Sequence, residues 1–139
     1  MLAYISNILN QEILKHIRNL DVEKLYGFYL KQRSDKIGDY EVCGFVEIGS
    51  GNAYSISPDT VSYKTMKKVY DELNADALVI MHNHPKIMGR SSVSPSDDDL
   101  IGTYAIARTC MSNKIRLIDH IIVDTSNYFS FVENRLIDI

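Results

Sequence analysis

The sequence lacks the features that mark several protein classes. It has two cysteines among 139 residues, Cys43 and Cys110, and neither belongs to a CxxC pair, which argues against a zinc finger or ribbon. Both cysteines lie among apolar residues and are interpreted as core thiols. The chain start lacks the charged segment and continuous apolar run of a signal peptide, and no apolar stretch reaches membrane-spanning length. These absences predict a cytoplasmic protein with no membrane partner.

The chain also lacks an excess of basic residues. Its 15 Lys and Arg against 18 Asp and Glu give a formal net charge of −3. Proteins that bind nucleic acid through its phosphates usually carry a basic excess or a basic face. The densest basic cluster, Lys64, Lys67 and Lys68, is explained by the exposed side of a helix. Nucleic acid is therefore not favoured as a partner.

With no internal repeat and no linker, residues 1–139 are predicted to form one mixed α/β (α+β) domain, a sheet flanked by helices. Within residues 1–22, apolar side chains recur at steps of three and four, which predicts an N-terminal amphipathic helix. Further helices are predicted at 63–73 and 97–111. Strands are predicted at 25–32, 40–48, 77–81, 117–123 and 128–132.

Two local patterns within these elements add detail. Gly49-Ser50-Gly51-Asn52 predicts a hairpin turn that leads into a further strand. The helix at 97–111 has apolar residues that share one side: Leu100, Ile101, Tyr104, Ala107 and Met111.

The segment with most chemical information is Met81-His82-Asn83-His84-Pro85, which ends the apolar strand at 77–81. Residues two apart in a strand point the same way, so His82 and His84 would present both imidazoles on one face. Two neutral imidazoles on a rigid strand suit a borderline-soft cation such as Zn²⁺. Pro85 is expected to turn the chain away and leave this end of the strand open.

A nearby carboxylate could complete such a site. Two histidines and one carboxylate leave a fourth position for water, as in catalytic zinc sites, where the metal lowers the pKa of that water to roughly 7. A further carboxylate would then transfer the proton. Ser96-x-x-Asp99 also has the form of a helix capping box. Both interpretations can hold together if Ser96 begins the helix and Asp99 projects from its first turn towards the histidines.

Taken together, the order Glu, His-x-His-Pro, Ser-x-x-Asp resembles the JAMM motif of the JAB/MPN metalloprotease family, and most closely its RadC-like branch. The likeness rests on Glu41-Val42-Cys43-Gly44-Phe45, on His82-Asn83-His84-Pro85, and on the strands at 117–123 and 128–131. It covers a motif-bearing core at about residues 40–137. The resemblance implies a JAB/MPN-like sheet flanked by helices, similar to the cytidine-deaminase fold.

Carried over residue by residue, the resemblance implies that His82, His84 and Asp99 bind zinc. It implies that Glu41 is the general acid/base and that Ser96 stabilises the oxyanion. The substrate would be a protein or peptide, including conjugates of ubiquitin-like proteins, cut at a peptide or isopeptide bond.

Several alternatives stay open at this point. Fourteen residues separate His84 from Asp99, more than is common in the family, so Asp97 or Asp98 could be the ligand instead. Glu47 shares a strand face with Glu41 and is its rival. His120 is interpreted as a buried structural histidine or as a residue that orients a ligand.

Two other functions are weighed against hydrolysis. Zinc deamination needs an H-x-E and a P-C-x-x-C motif, and the sequence has neither. The non-enzymatic alternative is a binding module that keeps the JAB fold and recognises a protein or nucleic acid partner, in line with the DNA-repair role ascribed to RadC-like proteins.

Overall fold

The computed structural model describes residues 1–50, 61–86 and 92–137, which form four helices and five strands. The helices are α1 (Ala3–Leu9), α2 (Ile13–Ile17), α3 (Tyr63–Glu72) and α4 (Asp97–Ser112). The strands are β1 (Lys24–Gln32), β2 (Tyr40–Ser50), β3 (Ala77–Asn83), β4 (Leu117–Val123) and β5 (Tyr128–Ser130).

The strands form one mixed sheet in the order β2-β1-β3-β4-β5. All neighbours are antiparallel except β3 and β4, which are parallel. A parallel pair needs a crossover connection, and α4 lies between these two strands in the chain. Every residue of the central strand β3 is buried, as its continuous apolar run predicts.

Helices cover both faces of the sheet. On one face, α1 and α2 pack on the sheet through Ile5, Ile8 and Ile17. On the other face lie Met66 of α3 and Ile106 of α4. The predicted class, a mixed sheet flanked by helices, is confirmed.

The N-terminal segment differs from the single helix predicted within 1–22. It forms two short helices separated at Asn10–Glu12, where the backbone N–H of Gln11 bonds to the carbonyl of Ile8 in a tighter turn. The Asn7 side chain also leaves the helix surface and donates to the carbonyl of Tyr40 at 2.7 Å. Apolar periodicity alone does not distinguish a continuous helix from one broken by such contacts.

The apolar side of α4 is not the side that faces the core. Ile101, Tyr104 and Met111 are 66%, 48% and 81% exposed, whereas Thr103, Ile106 and Cys110 are buried. A polar residue can face the core when it has a hydrogen-bond partner there, and the Thr103 hydroxyl lies 2.6 Å from a ring nitrogen of His120. The helix therefore presents a different side from the one that apolarity alone selects.

Other local predictions have mixed outcomes. Gly49 and Ser50 of the predicted hairpin turn belong to β2, whereas Gly51, Asn52 and the strand expected after them lie outside the described residues. Cys110 is buried in the core, and Cys43 is half-buried with its thiol 3.3 Å from the carbonyl of Tyr29. Among the described helices, none has the length and apolarity needed to cross a membrane.

Candidate metal centre

The two histidines of the His-x-His motif lie at the carboxyl end of β3. Alternation along β3 puts His82 on the same face as Leu78 and Ile80, the face that α3 and α4 cover. His84 follows the strand and keeps its pairing, because its backbone N–H donates to the carbonyl of Val123 at 2.8 Å. The two ring centroids are 5.0 Å apart. The structure thus brings both imidazoles together, as the spacing predicts.

Asp99 reaches the same place from the first turn of α4. Its Oδ2 accepts from the Ser96 backbone N–H at 2.9 Å and lies 3.1 Å from Nε2 of His84. Its Oδ1 lies 3.2 Å from Nε2 of His82. The Ser96 hydroxyl oxygen accepts from the Asp99 backbone N–H, which completes the predicted capping box. Asp97 and Asp98 are exposed, and Asp99 is the carboxylate that contacts the histidines.

The structure does not bring Glu41 to this site. Glu41 is exposed and pairs with Lys31, at the end of the sheet where β3 begins. His82 lies at the other end of β3, level with Leu25. Six residues along the sheet correspond to about 20 Å at the rise of a strand. The assignment of proton transfer to Glu41 is therefore corrected.

Glu47, the alternative to Glu41 for proton transfer, lies at a different place on the sheet and forms an ion pair of its own. It pairs with Tyr26 across the strands, and its Oε1 accepts from Nζ of Lys24 at 3.0 Å on the exposed sheet edge. This contact accounts for Glu47 without a role at the histidines.

A second carboxylate beside the histidines is that of Glu23, which sequence reasoning missed. Glu23 is 2% exposed, and its Oε1 is 3.9 Å from Nε2 of His84. One possible ligand atom from each of Glu23, His82 and His84 lies within 4.8 Å of the others. Its signal in the sequence is only its place directly before β1. That place matters because β1 begins where the antiparallel β3 ends, with Leu25 opposite His82.

Asn83, between the two histidines, fixes the backbone on both sides of Glu23. Its Oδ1 accepts from the backbone N–H of Lys24 at 2.9 Å, and its Nδ2 donates to the carbonyl of Val22 at 2.9 Å. The Asn83 side chain is buried. The middle residue of the motif thus holds the carboxylate segment against the histidine strand.

His120 of β4 contacts a histidine of the motif from the neighbouring strand. Its Nε2 is 2.7 Å from Nδ1 of His82, and its Nδ1 is 2.6 Å from the Thr103 hydroxyl. The ring is 3% exposed and stacks on Phe131, with centroids 4.7 Å apart. The two interpretations of His120 therefore coincide, because it is buried and also contacts a histidine of the motif.

Burial and the contacts among these side chains shift their pKa values. Burial raises the pKa of Glu23; the nearby His82 and His84 oppose this shift, and the charge of Asp99 adds to it. Burial would also raise the pKa of Asp99, but the imidazoles of His82 and His84 and the Ser96 N–H hold that pKa well below its usual range. For His84, burial opposes the charged form, yet Asp99 and the Ser92 carbonyl raise its pKa. Burial and the nearby His82 lower the pKa of His120.

This donor set fits a cation. Oε2 of Glu23 and Nε2 of His82 are buried atoms without a hydrogen-bond partner in the described part of the chain. Folded proteins rarely leave buried polar atoms in this state, and a bound cation would give both atoms a partner. Two imidazoles with a carboxylate are a typical ligand set for Zn²⁺. The residues present can therefore hold such an ion, with a second carboxylate beside it.

Comparison with known proteins identifies the family of the chain. The sequence matches the RadC-like JAB domain over residues 5–136. It is 34% identical to a UPF0758 protein of Fusobacterium nucleatum over 137 residues, covering 94% of this chain and 53% of that protein. It is 33% identical to a UPF0758 protein of Aquifex aeolicus over 115 residues, covering 83% and 44%.

A UPF0758 protein of Lactococcus lactis is 32% identical over 120 residues, covering 86% of this chain and 47% of that protein. The chain thus spans about half the length of these curated relatives. The domain match covers nearly all of the chain, including Glu23, both histidines of the motif and Asp99. The chain therefore belongs to the RadC-like JAB domain family.

Proposed function

We propose that this protein is a zinc-dependent hydrolase of peptide or isopeptide bonds, with His82, His84 and Asp99 as metal ligands and Glu23 as the proton-transfer group. The proposal rests on one arrangement. A buried carboxylate lies beside two imidazoles, and both imidazoles also contact a second carboxylate. Two of the atoms that meet there, Oε2 of Glu23 and Nε2 of His82, have no hydrogen-bond partner among the described residues.

The distances favour different roles for the two carboxylates. Asp99 lies 3.1 and 3.2 Å from the Nε2 atoms of the two histidines, so one cation could contact all three side chains. Glu23 is farther, at 3.9 Å from Nε2 of His84. This separation suits a group that acts on a water next to the ligands rather than a ligand itself.

The buried Glu23 has the properties of a general acid/base. Zinc held by the three ligands would act as a Lewis acid and bring the pKa of a water to roughly 7. Glu23 would accept a proton from the attacking water and return it to the leaving nitrogen. Its raised pKa, caused by burial, brings it closer to the operating pH, which favours transfer in both directions.

Ser96 is proposed to assist as a hydrogen-bond donor. Its hydroxyl oxygen accepts from the Asp99 backbone N–H at 3.0 Å, a contact that does not use the hydroxyl hydrogen. Ser96 is exposed next to the ligand Asp99. A donor at this position can stabilise the oxyanion that forms when water attacks a carbonyl.

The substrate proposed is a protein or peptide, with conjugates of ubiquitin-like proteins as one class, because the sequence resembles the wider JAB/MPN metalloprotease family, whose members cut such bonds. A pocket adjoins His82 and Asp99, and its apolar wall is formed by Leu25, Val61 and Ile106. An apolar group next to the bond to be cut would fit against this wall.

The test combines metal content with turnover. Purified wild type is compared with His84→Ala, Asp99→Ala, Glu23→Gln and the matched control Glu41→Gln, using elemental analysis and a fluorogenic peptide library. We expect near-stoichiometric zinc in wild type, loss in the first two variants, and zinc without turnover in Glu23→Gln. Glu41→Gln should behave as wild type, because its side chain is remote from the histidines.

Two outcomes would overturn the proposal. A protein that takes up no zinc, even after reconstitution, has no such metal centre. Zinc uptake with the same turnover in wild type and Glu23→Gln would remove the hydrolytic role and favour the binding module.

A further inference from the structure

We infer that Thr103 and His120 fix the tautomer of His82 and thereby leave its Nε2 as the atom free to bind a cation. Both are positioning residues that do not touch the ion or a substrate. The inference rests on the proposed function only in taking Nε2 of His82 as a ligand atom. The tautomer itself belongs to the metal-free protein and is argued from hydrogen-bond partners.

The chain of hydrogen bonds starts at a group that can only accept. The backbone carbonyl oxygen of Asp99 lies 2.6 Å from the Thr103 hydroxyl, one helical turn further along α4. A carbonyl has no hydrogen to give, so the hydroxyl must donate to it. The single hydroxyl hydrogen of Thr103 is thereby committed.

The orientation of Thr103 determines the protonation of His120. With its hydrogen committed, the Thr103 oxygen can only accept from Nδ1 of His120, which is 2.6 Å away. Nδ1 of His120 therefore carries a hydrogen. His120 has no carboxylate among its described hydrogen-bond partners, and a buried ring in such surroundings is neutral. Its other nitrogen, Nε2, is then an acceptor.

His120 in turn determines the tautomer of His82. Nε2 of His120 lies 2.7 Å from Nδ1 of His82, so Nδ1 of His82 must be the donor. A neutral His82 then has no hydrogen on Nε2.

A separate observation agrees with this assignment. Nε2 of His82 lies 3.2 Å from Oδ1 of Asp99, yet it makes no hydrogen bond among the described residues. In this tautomer both atoms can only accept, so a bound cation would give each of them a partner. The unpartnered buried nitrogen is what this tautomer leaves at the site.

The same tautomer of His84 follows from a single contact. Its Nδ1 lies 2.8 Å from the backbone carbonyl of Ser92, which can only accept. In the neutral ring Nε2 is therefore unprotonated and faces Asp99. Both imidazoles are thus oriented by a backbone carbonyl, directly for His84 and through Thr103 and His120 for His82.

The test reads the tautomers without metal or substrate. Long-range ¹H–¹⁵N NMR of the full metal-free chain distinguishes protonated from unprotonated ring nitrogens of each histidine, with the exposed His16 as a reference. We expect the hydrogen of His82 and that of His120 to be on Nδ1 rather than on Nε2. Wild-type His82 with its hydrogen on Nε2, or a doubly protonated His120, would overturn the inference.

Two variants test the role of Thr103. Thr103→Val removes the hydroxyl at similar size, and we expect a mixture of tautomers at His82 and His120. Thr103→Ser keeps the hydroxyl and should retain the wild-type spectrum. An unchanged His82 tautomer in Thr103→Val would contradict the inference. The wild-type spectrum decides the tautomer even if Thr103→Val fails to fold.

Zinc affinity provides a second readout. Loss of a residue that orients a metal ligand typically weakens binding about 10–100-fold, and we expect this for Thr103→Val but not for Thr103→Ser. Equal affinity in both variants would contradict the positioning role. If the tautomers are as expected but wild type takes up no zinc, the proposed function fails while the tautomer assignment stands.

Discussion

The hydroxyl of Tyr4 donates to Oδ2 of Asp119 at 2.9 Å and joins α1 to β4 across 115 residues of sequence. Asp119 is fully buried, and its two oxygens also accept from the Ser130 hydroxyl and from the backbone N–H groups of His120 and Val132. The carboxylate therefore links the N-terminal helix, β5 and the strand residue that supports His82.

Replacing Asp119 by Asn should destabilise the fold. The amide can accept at only one of its two positions, so donors that now meet the second oxygen would face an NH₂ group. Each buried donor left without a partner costs about 1–3 kcal/mol, and we expect the free energy of unfolding to fall by about 2–5 kcal/mol. Urea unfolding measures this change. Asp35→Asn on the exposed surface is the control, and an equal effect in both variants would contradict the prediction.

Asn83→Asp should lower turnover without removing zinc. The carboxylate can still accept from the Lys24 N–H, but its second oxygen would face the Val22 carbonyl and push the Glu23 segment away. A displacement of about 1 Å at a reacting group can cost about 100-fold in rate. Turnover and zinc content are measured together, with the exposed Asn10→Asp as control. Loss of zinc in parallel with turnover would contradict a role of Asn83 that is limited to placing Glu23.

The inward face of α4 can be checked with a matched pair of substitutions. Ile106 is 5% exposed and Ile101 is 66% exposed on the same helix. Removing a buried isoleucine side chain to alanine typically costs about 2–5 kcal/mol, whereas surface changes stay within about 0.5 kcal/mol. We expect Ile106→Ala to lower the free energy of unfolding by the larger amount. A larger loss for Ile101→Ala would show that the helix is rotated.

The raised pKa of His84 predicts opposite pH trends for the metal-free and zinc-loaded protein. In the metal-free protein, the stability from charged His84 is fully present below the ordinary histidine pKa of about 6.5. It is lost as the pH rises through the raised value. Zinc needs the neutral ring, so zinc affinity should rise with pH by about tenfold per unit until that value is passed.

Thermal unfolding of both forms against pH, with a zinc titration at each pH, tests this prediction. His84→Gln should flatten the pH trend of the metal-free protein, because the titrating ring is gone. A metal-free protein that becomes more stable as the pH rises through this range would contradict the role of the His84–Asp99 pair.

Much of the fold and part of the site follow from local sequence. The spacing of His82 and His84 places both rings on one face because strand side chains alternate. Ser96-x-x-Asp99 predicts the cap because its hydrogen bonds join residues three apart. The apolar run of β3 likewise predicts a buried central strand. Each of these features depends on neighbours along the chain.

Only the tertiary structure decided which carboxylate joins the histidines and which side of α4 faces inward. Glu23 lies at the site because β1 pairs antiparallel with β3 and places Leu25 opposite His82, a register that no local pattern contains. Thr103 is buried because His120, on another strand, supplies its partner. Local periodicity indicates which residues share one face of a helix or strand. Strand pairing and buried hydrogen bonds determine what that face contacts.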